Sequence, residues 1–480
     1  MDDRNRQAGQ VILLVLSVLI LTSLLGLSPQ SHLASGALKR AQHAIAAGMN
    51  LAASQHMDQA ARLLPSRPEL WEQAGSLALE GGDPQAAIQY FEQAARHGLS
   101  ETGLLNLGEA YLQAGNLDSA LGAWENLAQQ EDPPPAVLER LTNAYLEKGD
   151  VSAAIASLQA LVALQSTNAY YHYQLGLLIA TQDPEAALAY LSRAAELDPD
   201  FTSRTRPLQR DITAARLEDD PAYRLMGAGR ALSNLEEWFY AAEAFRQATI
   251  LRPDYAEAWA YLGEALQHLP SENPSQAVGL AELQKAVELE PTSLSANTFL
   301  ALFWQRQGRY DLALEAIQAA VELAPSNPVL QVELGNTLAL HGDLETAYQA
   351  YLQAIEFAPH DPSYYNVLVR FCLTHDYHVS EIALPASRQA LLLAPEDPSN
   401  LDWMGQTLLH LGDLVNAERF FKRAIENDPQ FAASHLHLGM LYILRNQTEQ
   451  AYQALTHTVN LAPNAAAGKQ AQQLLKSAIP

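Results

Sequence analysis

The chain has 480 residues, of which 48% are hydrophobic and 17% are charged, so it holds enough apolar surface to bury a large core. With 29 Lys and Arg against 54 Asp and Glu, its formal net charge is -25, which argues against a surface that binds the phosphate backbone of nucleic acids. A single cysteine, Cys372, excludes an internal disulfide framework and any cysteine-ligated zinc or iron–sulfur site.

The first predicted element is an apolar segment at residues 11–27, which follows a short polar N-terminus at residues 1–10. It reads VILLVLSVLILTSLLGL and contains no charged residue. A helix of this length spans about 25 Å, close to the ~30 Å of a bilayer's hydrocarbon core. A helix that packs in a soluble core has a polar stripe, and this segment has none. We therefore predict a transmembrane anchor, with a cleaved signal peptide as the alternative.

The basic residues around this segment give little information about its orientation. Arg4 and Arg6 precede it, and Lys39 and Arg40 follow it, so the positive-inside count is nearly tied. An N-terminal anchor more often leaves the bulk of the chain outside the cytoplasm, and a single cysteine is consistent with that location. We therefore predict a single-pass membrane protein whose remaining residues are extracytoplasmic.

From residue 34 onward, one pattern returns about every 34 residues. Prolines mark the ends of units, as at Pro291 and Pro325, and an alanine is followed four residues later by a large apolar side chain, as at Ala120 and Trp124. A glycine after an apolar or small residue is the third mark, at Gly75, Gly108, Gly176, Gly263, Gly335, Gly405 and Gly439.

These marks predict two short helices in each unit. Turns such as Gly115-Asn116 and Gly342-Asp343 end the first helix, because glycine accepts the left-handed conformation and Asn or Asp caps the helix that follows. The alanine and the large residue share one face of the second helix, which the proline then ends. One helix pair cannot bury its apolar faces alone, but a stack of neighbours can.

The pattern resembles the tetratricopeptide repeat (TPR) family, whose signature is W-x2-L-G-x2-Y…A-x3-F…P. The segments that carry the resemblance most fully are Leu107-Gly108-Glu109-Ala110-Tyr111 with Ala120 and Trp124, and Trp259-Ala260-Tyr261-Leu262-Gly263 with Pro291. The resemblance implies an all-α fold, an α-solenoid that coils as a right-handed superhelix. We predict about twelve helix-turn-helix units, preceded by the transmembrane helix.

The predicted array has two blocks, at residues 34–201 and 222–465, and a capping helix at residues 466–480. Residues 202–221 interrupt the period between the blocks, and we interpret them as a helix-breaking spacer. The arginines of this segment are Arg204, Arg206, Arg210 and Arg216. They form either a basic docking patch on an acidic protein or, in the interpretation we favour, a solvated connector whose arginines pair with neighbouring acids.

The sequence contains none of the catalytic motifs we searched for: no G-x-x-x-x-G-K-[ST] loop, no G-x-S-x-G elbow and no H-E-x-x-H. His375 and His378 have no cysteine and no third ligand beside them, so we predict no metal site there. Once the anchor and the units are subtracted, no stretch is long enough for a catalytic domain. We therefore predict no enzymatic activity, no cofactor and no nucleic-acid partner.

The resemblance also implies where partners bind. In TPR proteins the first helices line a concave groove, and side chains near the second, fifth and ninth positions of each unit face the ligand. The polar residues at the ninth position are Glu109, Asn143, Arg230, Glu264, Asn336, Arg370 and Gln406. The Lys/Asn clamp with which some TPR units bind chaperone carboxylates is missing, because Glu139 accompanies Asn143 and Met226 accompanies Arg230. We expect proteins or extended peptide segments as partners, and no chaperone tail.

Three tyrosines flank the insertion, namely Tyr170, Tyr173 and Tyr223, and with Arg230 they suggest an aromatic and basic pocket for an extended peptide. The alternative, which we favour, is that these rings pack the junction between the blocks. For function, we predict a non-catalytic, membrane-anchored scaffold that binds partners in the groove and assembles or recruits complexes. The alternative is an accessory subunit of a cell-envelope enzyme or of a secretion or biogenesis machine.

Overall fold

The computed structural model describes residues 29–130, 132–270 and 277–477, and within them it contains 26 α-helices and no β-strand. The chain divides into two compact units, Met1–Arg216 and Leu217–Pro480. Most helices pack against the next helix along the chain, so each unit is a solenoid of helix pairs. The predicted all-α repeat array is confirmed.

The helices of the first unit form five pairs and one additional helix. They are α1 (Pro29–Ala46), α2 (Asn50–Leu63), α3 (Glu69–Glu80), α4 (Pro84–Ala95), α5 (Glu101–Gln113), α6 (Leu117–Ala128), α7 (Pro135–Lys148), α8 (Val151–Leu164), α9 (Ala169–Ala180), α10 (Pro184–Leu197) and α11 (Thr202–Ala215). A short 3-10 turn, Pro199–Phe201, joins α10 to α11.

The helices of the second unit form seven pairs and a final helix that packs against the last pair. They are α12 (Pro221–Asn234), α13 (Trp238–Leu251), α14 (Ala256–Gln267), α15 (Leu280–Leu289), α16 (Leu294–Arg306), α17 (Tyr310–Leu323), α18 (Pro328–His341), α19 (Leu344–Phe357), α20 (Pro362–His375), α21 (Leu384–Leu393), α22 (Pro398–His410), α23 (Leu414–Asn427), α24 (Ala432–Leu444), α25 (Thr448–Leu461) and α26 (Ala466–Ser477).

The predicted glycine turns end first helices and begin second helices. Gly149 and Gly342 both have positive φ, 80° and 99°, which costs a glycine nothing. The next residue then caps the second helix, since the carboxylate of Asp150 accepts the N–H of Ala153 at 3.0 Å and that of Asp343 accepts the N–H of Thr346 at 3.1 Å.

The small and large residues of each pair meet as the repeat pattern requires. Trp124 is fully buried against Gly108, and a Cβ placed on Gly108 would overlap its indole ring. The indole N–H donates to the carbonyl of Leu105 at 3.0 Å, so this buried polar group is satisfied. The glycine therefore allows the two helices of a pair to approach closely.

Successive first helices of the second unit also contact one another. This holds for α14 with α16, for α20 with α22, and for α22 with α24. No two second helices of the described part of the chain contact each other to a comparable extent. In this unit the first helices therefore approach one another more closely than the second helices do. We call the surface of the first helices the inner face.

The insertion differs from its prediction, because residues 202–215 are helical and do not form a helix-breaking spacer. Leu208 and Ile212 of α11 are buried, and α11 packs against α10. Two of its arginines pair with acids, Arg210 with Asp211 at 2.7 Å and Arg216 with Glu185 at 2.6 Å. The boundary between the two compact units falls directly after Arg216.

The repeat that begins at Pro362 has an unusual turn. Asp376 and His378 have φ values of 50° and 44°, a conformation that costs energy for residues other than glycine. A five-residue π-helical turn, Val379–Ala383, follows and leads into α21. Beside this turn lies Cys372, which is fully buried, and burial raises the pKa of its thiol to about 12.

The localisation prediction is corrected. Among residues 29–130, 132–270 and 277–477, no helix combines the length and the apolar character that crossing a bilayer demands. A single-pass membrane protein is therefore not supported. The predicted anchor, residues 11–27, lies outside the described residues.

Candidate peptide-binding clefts

The first unit contains a cleft of about 230 Å³ between α7 and α9, which we call the first-unit cleft. Its floor includes Leu158 and Leu161 of α8, both buried. Asn143 and Tyr170, two of the predicted site residues, line its walls. Tyr170 is 52% exposed, and Asn143 is exposed and makes no hydrogen bond to another described residue, so both are available to a ligand.

Hydrogen bonds fix the polar walls of the first-unit cleft. The hydroxyl of Tyr171 donates to the carboxylate of Glu139, and this bond, together with burial, raises the pKa of Tyr171 to about 12. The side-chain amide of Gln174 donates to the hydroxyl of Tyr170 at 2.6 Å. Tyr171 therefore stays a neutral donor, both tyrosine hydroxyls are held by hydrogen bonds, and the lining of the cleft is mainly polar.

Glu109 does not face this cleft as a free carboxylate. Its Oε2 accepts from Nε of Arg140 at 3.0 Å, which joins α5 to α7. Arg140 also lines the first-unit cleft. Glu109 was predicted to bind a partner, but its carboxylate forms an ion pair with Arg140 of the neighbouring repeat. We therefore do not include it in the proposed site.

The second unit contains a cleft of about 290 Å³ between α18 and α20, which we call the second-unit cleft. Asn336 and Arg370, both predicted site residues, line it together with Gln305 of α16. Tyr351 of α19 and Phe371 of α20 supply its aromatic surface. Three successive first helices thus contribute to one site on the inner face.

Tyr351 orients the amide of Asn336. Its hydroxyl donates to Oδ1 of Asn336 at 2.9 Å. Burial raises the pKa of Tyr351, and this effect exceeds the opposing one of the nearby Arg370 charge, so the tyrosine remains a neutral donor. Gln305 is held in turn, because its side-chain amide donates to the hydroxyl of Thr337 at 2.6 Å.

Arg370 differs from the other predicted arginine, because no described residue forms an ion pair or hydrogen bond with its side chain. Its side chain is exposed at the second-unit cleft and forms no ion pair or hydrogen bond with any described residue. The guanidinium carries five N–H donors in a planar fork that matches a carboxylate. In a chain with 54 acidic and 29 basic residues, an arginine that has no partner among the described residues and lines a cleft favours a carboxylate as its ligand.

Arg230, by contrast, contacts other residues of the second unit. Its guanidinium lies 5.8 Å from the ring centres of both Tyr223 and Tyr261, and it pairs with Glu257 at 3.3 Å. These are stabilising contacts between α12 and α14. Tyr223 and Arg230 therefore meet as predicted, but the charge of Arg230 is already matched within the unit.

Two further ninth-position residues also have internal partners. Glu264 accepts two hydrogen bonds from the guanidinium of Arg306, at 2.6 and 3.0 Å, and so ties α14 to α16. Gln406 donates to Oδ2 of Asp402 at 2.8 Å. Asp402 is buried and also accepts from Ser434 at 2.7 Å and interacts with His437 at 3.0 Å.

Tyr173 is buried, and its ring lies 5.1 Å from that of Phe201, so it packs the end of the first unit. We do not keep Tyr173 in the proposed site. Tyr170 and Tyr173 belong to the first unit and Tyr223 and Arg230 to the second. Their common pocket therefore stays a prediction.

The sequence analysis missed several residues that line the clefts. Arg140 and Gln174 line the first-unit cleft, and Gln305 and Thr374 line the second. Helical spacing contains a signal for two of them, since Arg140 precedes Asn143 by three residues and Gln174 follows Tyr170 by four. The search considered only three positions in each unit and so passed over their neighbours on the same helical face.

Family models agree with this architecture. Tetratricopeptide repeat models match residues 38–101, 73–134, 277–328, 305–362 and 408–478, and a TPR repeat model matches residues 143–183. Together these matches cover more than half of the sequence. The chain belongs to the tetratricopeptide repeat family. The matches include repeats of both compact units and most of the residues that form the first-unit cleft.

A comparison with solved structures finds similar chains at low sequence identity. Yeast Tom70 is 15% identical, with a TM-score of 0.44 over 93% of this chain and 95% of that one. The Cut9–Hcn1 hetero-tetramer of the APC/C gives 14% identity and a TM-score of 0.40 over 96% and 98%. PilF of Pseudomonas aeruginosa gives 21% and 0.34 over 46% and 98%. No protein with a curated description matches the sequence.

Proposed function

We propose that this protein is a non-catalytic TPR scaffold that binds extended segments of partner proteins along its inner face. Arg370 carries the proposal, because its side chain lines the second-unit cleft and has no partner among the described residues. A carboxylate from a bound segment would satisfy this charge through paired hydrogen bonds. Asn336 and Gln305 stand in the same cleft and can hydrogen-bond the main chain of that segment.

The size of the clefts supports a peptide over a small enclosed ligand. Their volumes, about 230 and 290 Å³, lie below the range of roughly 300–1,000 Å³ that is typical of small-molecule sites. Each cleft therefore suits a few side chains of a longer ligand. In this proposal Asn143 and Tyr170 hold a neutral polar stretch, and Arg370 holds an acidic one.

The test is a selection from a displayed library of random peptides of about twelve residues. The full chain serves as the target, and the Arg370→Glu variant removes peptides that do not depend on the cleft. Enriched peptides should contain Asp or Glu, and synthetic copies should bind the variant about tenfold more weakly in fluorescence anisotropy.

Arg309→Glu is the matched control, because Arg309 is exposed in the same unit, lies outside the cleft and has no side-chain ion pair within the described residues. Peptides should bind this variant as they bind the native protein. If the selected peptides bind Arg370→Glu as well as the native chain, or if none requires an acidic residue, the proposed role of the second-unit cleft is wrong.

A further inference from the structure

A groove of about 650 Å³ lies between the second helices α21 and α23 and shares no lining residue with either cleft. We call it the outer groove. Its floor is formed by Met404, which is buried, and Leu408 of α22. Leu391 and Leu392 of α21 and Phe420 of α23 line its walls. Of the three cavities described here, it has the largest volume, and its lining is mostly apolar.

The backbone that leads into the first wall of the groove is unusual. The second helix α21 has 10 residues, whereas α19 and α23 have 14 each. The five residues of the π-helical turn Val379–Ala383 stand where the first turn of a longer helix would be. π-Helical turns are rare, and they occur frequently at functional sites. Here the turn runs directly into α21, and Leu384, the first residue of α21, lines the groove.

The groove is open to solvent along its apolar edge. Leu392 is 74% exposed, whereas Met404 at the floor is 4% exposed. A single exposed leucine is ordinary, but this one continues into a lined apolar surface. An open groove between two parallel walls accepts the ridge of another helix better than it encloses a small molecule.

Positive charge flanks the groove on both sides. Arg388 of α21 lines one wall, and the guanidinium of Arg423 lies 5.7 Å from the ring of Phe420 on the other. Neither arginine forms an ion pair with another described residue. The acid of the lining, Asp413, is occupied as the cap of α23, because it accepts from the N–H of Asn416 at 3.1 Å and from its side-chain amide at 2.6 Å.

We propose that the outer groove docks an amphipathic, acidic helix from a partner protein. Apolar side chains at helical spacing enter between α21 and α23, and acidic side chains on either side of that stripe meet Arg388 and Arg423. The charge pattern selects this occupant, because two unpaired cations beside an apolar groove stand out on a protein with a net charge of -25. The site is independent of the inner face, so a scaffold with both would hold two partners at once.

The experiment uses a displayed library of helical peptides with Leu, Ile, Phe or Met in one stripe and Glu, Lys, Gln or Ser at the flanking positions. Selection is on the full chain, with counter-selection on Leu392→Glu. Because Leu392 is largely exposed, this substitution should leave folding intact, and circular dichroism checks that it does. Ile250→Glu is the matched control, since Ile250 occupies the corresponding exposed position of α13 and is 62% exposed.

Enriched peptides should favour Glu over Lys at the flanking positions and should bind Leu392→Glu about tenfold more weakly, with no change in Ile250→Glu. The double variant Arg388→Glu/Arg423→Glu should lose the acidic peptides and bind copies in which Lys replaces Glu. Equal binding by the double variant, or enrichment of basic peptides, would overturn the proposal. So would self-association of the native chain that Leu392→Glu abolishes, because the groove would then hold a second copy.

Discussion

Gly335 lies directly against Tyr351, and a Cβ built on the glycine would stand 2.8 Å from the tyrosine ring. The same ring carries the hydroxyl that orients Asn336 in the second-unit cleft, at 2.9 Å. Close packing between the two helices of this repeat therefore also sets the geometry of the candidate site. One contact links the stability of the fold to the arrangement of the ligand-binding groups.

Gly335→Leu should overpack this helix pair and destabilise it by about 1–3 kcal/mol. Since each repeat contacts mainly its neighbours, the damage should stay local. Hydrogen exchange should show faster exchange in α18 and α19 and unchanged protection in α22 to α25. A single cooperative loss of all helicity would contradict this expectation.

Gly122→Ala is the control, because nothing lies within 4 Å of the added methyl group, and it should stabilise α6 by roughly 0.5–1 kcal/mol.

Asp402→Ala should destabilise the C-terminal repeats by about 1–3 kcal/mol, measured by urea unfolding. The substitution leaves the buried hydroxyl of Ser434 and the ring of His437 without their common acceptor. Glu449→Ala removes a carboxylate whose hydrogen bond to Gln453 is exposed, and should change stability by less than about 0.5 kcal/mol. Similar losses in the two variants would show that the buried network contributes little.

The ion pair of Glu264 and Arg306 should give a coupling free energy of about 0.5–1 kcal/mol in a double-mutant cycle. The pair has good bidentate geometry, but the Arg306 side chain is 40% exposed, so solvent screens it. We expect the coupling, measured with Glu264→Gln and Arg306→Gln, to decrease as salt rises from low ionic strength to about 1 M. A coupling that salt leaves unchanged would indicate that packing and not charge joins these helices.

His435 should make the last repeats less stable in mild acid. Burial lowers its pKa below the ordinary value of 6.5; its bond to the carbonyl of Pro429 opposes this shift, and the neighbouring His457 adds to it. The unfolded chain therefore takes up a proton near pH 6.5 that the folded chain does not. Stability contributed by neutral His435 is complete above that pH and declines as the pH falls toward the lower folded pKa.

The measurement is urea unfolding at pH 7.5 and 5.5 for the native chain and for His435→Gln, which keeps a donor for the Pro429 carbonyl but does not titrate. The native chain should lose more stability between the two pH values than the variant. Equal losses would assign the pH dependence to other histidines.

The repeat architecture was predictable because it depends on residues that recur at fixed spacing. Gly108 and Trp124 come from one unit, as do Gly335 and Tyr351, and both pairs stand 16 residues apart in the sequence. Glycine has no side chain, so the large residue of the second helix can lie directly against the first helix. This contact determines how the two helices of a unit pack. The same spacing separates Gly75 from Phe91, Gly229 from Phe245 and Gly405 from Phe421, so a single sequence contains several independent copies of the signal.

The contacts made by residues that differ from unit to unit could not be predicted in this way. Arg230 is satisfied by Tyr261 and Glu257, which lie in the next repeat, and nothing in the repeat pattern specifies those side chains. The helix α11 was missed because residues 202–221 interrupt the 34-residue period, although Leu208 and Ile212 stand at helical spacing. The π-helical turn after His378 required two residues with positive φ that are not glycine, which sequence does not favour.

Cys372 gives the molecule a built-in reporter. The thiol is the one cysteine of the chain, is fully buried and has a pKa near 12, so alkylating reagents reach it only when its repeat opens. That repeat contributes α20 to the second-unit cleft and α21 to the outer groove. A ligand bound in the second-unit cleft or in the outer groove raises the free energy needed to open this repeat. It therefore slows modification of the thiol, and a ligand that binds more tightly slows it more.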